Sequence, residues 1–470
     1  MSKLFKKLAS DTAILAIGTI GSKLLVFLLM PLYTAYLSTA EYGTAELITT
    51  TANLLIPLAC VGITNGIFRF AAERNADQEA VFTSSMLLLA GGSAVFLALS
   101  PLFFLVPFFG AYSWLIPLYV ILANLQGVCA QYVRATDHTR LFAFQGIFNT
   151  LLTVLFNVLF LVVFHMGVTG YVLSVILGNL LTSALLFFGA GLYRVFRLDK
   201  VDRGLVRELL RFSLPMVPTT VCWLITDLSD RYLVTYYCGE AINGIYSAAY
   251  KIPSIVNLLS SVFMMAWQFS AVTQSSDEDG CREFYNKIYG GFLSLMVVGA
   301  AGLILFSDVL TGMLFNVAYA GASFYMPTLL AAAAVESIVA FLATVYLVKK
   351  KTMHSFVTAI SGAILNVALN VVLIPSLGAI GAALATLASY LLVFGLRIVD
   401  APRMIRFRRK APTLAVNLTL LLSLTAMMTV RPNGFFMLSI LIAAAILAFN
   451  AIPLVRMILQ FAKKRKLRNQ

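Results

Sequence analysis

An all-α polytopic membrane protein is the fold class this sequence predicts, and three observations predict it. The 470 residues are 60% hydrophobic and 11% charged, against about 25% charged in a soluble domain. Apolar residues gather into fourteen stretches, each near the ~20 residues that a helix needs to cross a bilayer. The cations flanking those stretches fall on alternate loops, as the positive-inside rule requires.

The stretches run 12–37, 43–70, 81–109, 113–135, 142–164 and 168–193 in the first half. They continue as 212–238, 242–271, 288–315, 322–348, 354–374 and 378–399, and end with the pair 413–430 and 434–461. Lys3, Lys6 and Lys7 precede the first stretch, which is far longer than a signal-peptide core and so reads as an uncleaved helix. Arg69 and Arg74 follow the second, and Arg134 and Arg140 lie between the fourth and fifth. The run 194–211 separates the sixth from the seventh. Arg282 and Lys287 precede the ninth, and 349–351 follows the tenth. Basic residues over 397–410 and 456–468 bracket the last pair. Of the 34 Lys and Arg, setting aside intramembrane Lys23, Arg231 and Lys251 and outward Arg431 leaves 30 on one side. That distribution predicts both termini in the cytoplasm, and the net charge of +14 reports topology. Nucleic-acid binding is excluded, because the basic residues sit in short loops with no groove-reading module.

Residues 1–193 form a first six-helix lobe, 194–211 a basic linker and 212–399 a second six-helix lobe. Residues 400–470 supply a basic loop, the final helix pair and a polybasic tail. Leu205, Val206, Leu209 and Leu210 recur at helical spacing in the linker, which predicts an amphipathic interfacial helix. The tail reads as an anchor on anionic membrane lipid.

The two halves repeat. Ala40-Glu-Tyr-Gly43 lies 201 residues before Ala241-Ile-Asn-Gly244. Asn157-Val-Leu-Phe-Leu161 matches Asn370-Val-Val-Leu-Ile374, and Gly167-x-x-Gly170 matches Gly378-x-x-Gly381. Two lobes that both begin on the inside predict a parallel pseudo-twofold repeat about the membrane normal, with substrate sites between the lobes.

Six ionisable residues sit inside apolar stretches: Lys23, Asp227, Asp230, Arg231, Lys251 and Glu336. A charge at the bilayer centre costs about 2.5–3.5 kcal/mol on insertion scales, so such residues face a bundle interior, a wet cavity or each other. Thr12, Thr19, Lys23, Met30 and Thr34 share one helical face. Asp227, Asp230 and Arg231 can share another, as an intrahelical ion pair with one surplus carboxylate. Asn149, Thr153 and Asn157 recur every four residues as a polar stripe that can bind sugar hydroxyls or join helices. Pro31, Pro215 and Pro218 are expected to bend their helices. Cys60, Cys129, Cys222, Cys238 and Cys281 lack ligand spacing and read as small apolar fillers. No phosphate-binding G-x-x-x-x-G-K-[ST] occurs, and neither a cofactor nor a metal is expected.

The run Leu365-Asn-Val-Ala-Leu-Asn-Val-Val-Leu-Ile-Pro-Ser-Leu-Gly-Ala-Ile-Gly-Ala-Ala-Leu-Ala-Thr386 resembles a signature of the multidrug/oligosaccharidyl-lipid/polysaccharide (MOP) exporter superfamily. Three further pieces resemble its polysaccharide-transporter branch. They are Gly21-Ser-Lys-Leu-Leu through Pro31-Leu-Tyr-Thr to Glu41-Tyr-Gly43; Ser229-Asp-Arg-Tyr-Leu233 with Gly244-Ile-Tyr-Ser-Ala-Ala-Tyr-Lys-Ile-Pro253; and the pair Tyr132-Val-Arg-Ala135 and Arg140-Leu-Phe-Ala143. The resemblance implies a V-shaped, monomeric two-lobe transporter of a bacterial-type plasma membrane. It implies alternating access and a polyprenyl-pyrophosphate-linked (undecaprenyl-type) oligosaccharide moved from inner to outer leaflet, alongside polysaccharide assembly machinery. In related lipid II flippases, a final helix pair like 413–461 helps hold the lipid tail.

A pyrophosphate in a low-dielectric path needs fixed cations and donors. Lys23, Lys251 and Arg231 are candidate phosphate contacts, and Tyr246, Tyr250, Asn149 and Asn157 are candidate sugar contacts. Asp227, Asp230 and Glu336 are candidates for a coupling Na⁺ or H⁺. Structural readings stand beside these: Lys23 paired with a carboxylate such as Glu336, Lys251 snorkelling to the outer interface, and Glu336 packed and protonated. A cation-coupled multidrug or small-molecule exporter of the same superfamily is the alternative. A membrane glycan polymerase or ligase would need a large outer loop, and loops such as 110–112 and 165–167 are too short. A major-facilitator carrier would show G-x-x-x-D-R-x-G-R-R, where this chain reads Phe68-Arg-Phe-Ala-Ala-Glu-Arg-Asn75.

Overall fold

The computed structural model describes residues 27–72, 77–136, 138–214, 216–273, 278–349, 351–405 and 411–469. Among the described residues the structure is helical throughout, with no strand. Ten helices among them are long and apolar enough to cross a membrane. The chain divides into two compact units, Met1–Tyr232 and Leu233–Gln470.

The first unit begins with α1 (Met30–Tyr36) and α2 (Thr39–Ala59). Pro31 stands in the first turn of α1, where its missing N–H costs nothing. Ser38 and Glu41 close a capping box that sets the start of α2. The single helix expected over 43–70 is two: α2 ends at Ala59, and α3 spans Ile63–Ala71. Pro57 cannot continue the hydrogen-bond ladder, and the Gly62 N–H turns back to the Pro57 carbonyl at 2.9 Å.

Next come α4 (Gln78–Leu99), α5 (Leu115–Ala135), α6 (Thr139–Asn157) and α7 (Gly167–Gly189). A short α8 (Leu192–Val195) leads to α9 (Arg203–Ser213), whose first turn is capped by the Asp202 carboxylate. Leu209 of α9 is buried among Ile67, Val81, Val133 and the buried, free Cys60 and Cys129. Arg203, Arg207 and Arg211 stay exposed. The linker helix is therefore amphipathic and docked on this unit. In the interior, α5 packs on α7, α2 and α3, and α6 packs on α7.

The division between units falls inside α10 (Met216–Cys238). Pro215, and the side chains of Pro218, Cys222 and Cys281, lie outside the described residues. The second unit holds α11 (Glu240–Lys251), α12 (Pro253–Thr273), α13 (Glu278–Leu305), α14 (Ser307–Leu314), α15 (Ala322–Val348), α16 (Thr352–Leu377) and α17 (Ala379–Ile405). It ends with α18 (Ala411–Val430) and α19 (Phe435–Asn469). The helix expected over 242–271 is broken at Ile252, because Pro253 starts a new helix. The centre is α15, packed by α17, α12, α13 and α18, while α19 lies on α13 and α18. Arg431, between α18 and α19, meets Asp308 at 2.6 Å and Ser323 at 3.1 Å, which ties the last helix pair to α14 and α15.

The sequence repeat has a backbone cause. Gly167 and Gly378 both adopt positive φ, 54° and 70°, where their chains turn into α7 and α17. Three residues on, Gly170 and Gly381 sit where a side chain would collide with the preceding helix. The repeat is not identical in form. Beyond Asn157 the chain of α6 relaxes into a π-turn over Val158–Val163, whereas α16 runs regularly past Asn370 to Leu377.

Candidate functional site

Two buried polar centres stand out, one in each unit. In the first, α2 turns Glu46 into the interior, where it is 3% exposed. The Tyr171 hydroxyl on α7 donates to Glu46 Oε1 at 2.7 Å, and the Tyr42 hydroxyl, one turn earlier on α2, donates to the same oxygen at 3.3 Å. Tyr33 of α1 meets the Tyr171 ring edge-on, with centroids 4.8 Å apart. Arg231 of α10 brings its Nη1 to 3.6 Å from Glu46 Oε2, and the same nitrogen donates to the Thr50 hydroxyl. The hydroxyls of Thr51 and Tyr232 bond one residue further along both helices. The result is a carboxylate walled by phenols with a guanidinium at its open edge. Buried carboxylates persist only when paired and hydrogen-bonded in this way.

In the second unit, Glu336 projects from the middle of α15. The Asn257 amide of α12 donates to Glu336 Oε2 at 2.9 Å. The two side chains line an open pocket of about 320 Å³ with Ser260, Ser261, Met264 and Ser337. Ser261 and Ser337 donate their hydroxyl protons to helix carbonyls, Leu258 O at 2.8 Å and Ala333 O at 2.9 Å. Their oxygens keep lone pairs available to the pocket. A carboxylate, an amide and hydroxyl oxygens around such a space can take a proton or a hard cation.

The remaining expected residues are placed as follows. Lys23 lies outside the described residues, and so does the side chain of Asp227, on α10. Asp230 is buried beside Arg231. Lys251 is the half-buried last residue of α11, where a cation complements the negative helix end. Tyr246 is fully buried, and its ring packs near Tyr250 (6.3 Å) and against Tyr325 (5.9 Å). Asn149 donates to Asn179 of α7 at 2.9 Å, which joins two helices. Asn157 is fully buried and donates to the Thr153 carbonyl of its own helix at 2.7 Å.

Two buried charges went unnoticed in the sequence. Glu46 lies within the second apolar stretch, and its signal was Tyr42 one turn earlier on the same face. Arg397, counted above among the inner loop cations, is 1% exposed in α17. It donates to the Val339 carbonyl (2.9 Å), the Thr358 hydroxyl (3.0 Å) and the Ser355 carbonyl (3.2 Å), and so fastens α15, α16 and α17 together.

Comparisons with known proteins accord with this architecture. A family model described as "Polysaccharide biosynthesis protein" matches residues 8–268. A curated relative, the "Probable low-salt glycan biosynthesis flippase Agl15" of Haloferax volcanii, is 24% identical over 188 residues. That match covers 39% of this chain and spans only 39% of the relative's own length. The fold is similar to the lipid II flippase MurJ in an inward closed conformation, with TM-score 0.70, 17% identity, and 95% of this chain and 100% of that one covered. It is equally similar to an inward-facing multidrug resistance MATE family transporter of the MOP superfamily, with TM-score 0.70, 14% identity, and 82% and 94% covered.

Proposed function

Since the chain belongs to the polysaccharide biosynthesis protein family, in the polysaccharide flippase branch of the MOP exporter superfamily, we propose that it is a flippase for a polyprenyl-pyrophosphate-linked oligosaccharide. In this reading fourteen spans with cytoplasmic termini form two six-helix lobes and a final pair. The lobes alternate in access and carry the lipid-linked glycan from the inner to the outer leaflet of the plasma membrane. The relatives named as glycan and lipid II flippases support a lipid-linked glycan as substrate.

The observation that carries the reading is the Arg231 guanidinium, held within apolar helices by Glu46 and 14% exposed in its side chain. Arginine stays charged at any working pH and can fork onto a phosphate. It would share the pyrophosphate with Lys23 and Lys251. Tyr250 and Asn149, both half-buried, would meet the sugar. The pocket at Glu336 would take the coupling H⁺ or Na⁺, with Asp227 and Asp230 as further carboxylates. The same pocket is what favours the second reading, a cation-coupled exporter of a cationic small molecule.

The test is leaflet translocation of a fluorescent polyprenyl-pyrophosphate sugar in proteoliposomes, with Lys23→Ala, Lys251→Ala and Arg231→Lys compared. Transport by the parent chain, reduced about tenfold or more in at least one variant, is expected from the loss of a buried charge-assisted contact. Absence of translocation, with export of a lipophilic cation instead, would establish the second reading.

A further inference from the structure

The paired motif Tyr132-Val-Arg-Ala135 and Arg140-Leu-Phe-Ala143 plays no part in the transport path described above. The structure gives it a common location. Arg134 is the penultimate residue of α5, and its guanidinium lies 4.8 Å from the ring centre of Phe68 on α3 and 5.4 Å from that of Phe142 on α6. Arg140 is exposed on the same first turn of α6 as Phe142. We propose that Arg134, held by Phe68 and Phe142 at the basic end of the first unit, is a headgroup site for an anionic phospholipid.

Three observations carry this. First, two rings hold the guanidinium by cation–π attraction, which does not consume its N–H donors. Among the described residues no hydrogen bond or ion pair takes those donors. A planar fork so held matches the two free oxygens of a phosphodiester. Second, several cations gather here, along with Asp77 and Glu79, which flank the Gln78 carbonyl that Tyr132 contacts. Arg69 and Arg140 are exposed nearby in the chain, and α9 packs into the same small core with Arg203, Arg207 and Arg211 outward. Clusters of cations beside a membrane span attract anionic lipid. Third, Phe68 is itself exposed, 36%, and Phe142 is half-buried. Apolar rings beside a cation suit an acyl chain, and free phosphate has nothing to place against them.

The experiment uses the full-length protein in micelles holding equal amounts of phosphatidylglycerol and phosphatidylcholine, with bound lipid counted by native mass spectrometry. Phosphatidylglycerol is expected to be retained preferentially. Its retention should fall about three- to tenfold in Arg134→Ala and Arg134→Gln, as befits loss of a charge-assisted contact. Arg134→Lys should recover only part of it, because an ammonium lacks the plane and the fork. Excess inorganic phosphate should leave the lipid in place. Unchanged retention in Arg134→Ala and Arg134→Gln overturns the proposal, and so does an equal loss of both lipids. Displacement by inorganic phosphate overturns it in favour of a free-phosphate site. If Arg134→Ala melts early, the exposed Arg140→Ala decides: a smaller but selective fall in phosphatidylglycerol supports the site, and no change overturns it.

Discussion

Glu46 and Glu336 are the same residue type, each set in an apolar helix of its own unit, and their surroundings differ in kind. Glu46 Oε1 takes two phenol hydroxyls, and Oε2 faces Arg231. Glu336 accepts from the Asn257 amide and lines a pocket with serines. Burial without partners would be ruinous for either carboxylate. The first unit answers with protein donors fixed in place, while the second offers a pocket that a small ligand can enter. A buried carboxylate in a transporter thus need not be a transport site. Whether it lines a pocket separates the two cases.

The sharpest way to break that comparison is to remove each carboxylate and compare stability. Glu46→Ala removes the acceptor of two phenols and the carboxylate that Arg231 meets, and severing one side of a buried pair costs about 3–5 kcal/mol. Thermal unfolding in detergent should show a large loss, and adding Arg231→Leu should cost less than it does in the parent chain, because the two side chains are coupled. Glu46 accepts from Tyr42 and Tyr171 and faces Arg231. Glu46→Gln should therefore fall in between, since a neutral amide still accepts the tyrosine protons. If Glu46→Ala unfolds no earlier than Glu336→Ala, the distinction between cage and pocket fails.

Much of this fold was legible from apolar runs and flanking cations, because both report the bilayer directly. The run 322–348 coincides with α15 residue for residue. The cage was less legible. Tyr42 and Glu46 share a helix, but Tyr171 and Arg231 come from α7 and α10, and no local spacing announces them. Arg397 was misread for a similar reason. Its place near the end of an apolar run suggested a loop cation, while the acceptors that bury it belong to α15 and α16. The breaks at 60–62 and 252 did have local signals in Pro57 and Pro253, which long hydrophobic averages conceal.

A smaller effect should separate the two units at the repeated glycines. A methyl group on Gly381 would stand 2.6 Å from the Leu373 carbonyl oxygen, which is backbone and cannot yield. On Gly170 the first atoms met are the side-chain Cβ atoms of Met166 and Phe160, each at 3.0 Å. Overpacking of this sort costs about 1–3 kcal/mol, so Gly381→Ala should lower the melting temperature clearly, and Gly170→Ala by less. Equal losses would mean that both turns have the same rigidity, and the asymmetry of the repeat would then end at the π-turn.

The smallest expected change in stability is the most informative about transport. Glu336→Gln keeps an oxygen where the Asn257 amide donates and removes only the charge. The pocket already admits solvent, so stability should shift by less than about 1 kcal/mol. A coupling site, however, must alternate between protonated and ionised, or between cation-bound and free, and a carboxamide can do neither. Transport in proteoliposomes should then lose its response to an imposed proton or sodium gradient while substrate still binds. The matching change at Glu46 would disturb stability first. If Glu336→Gln responds to both gradients as the parent chain does, the pocket is a packing defect with a satisfied glutamate. The carboxylates of α10, Asp227 and Asp230, would then be the ones left to carry coupling.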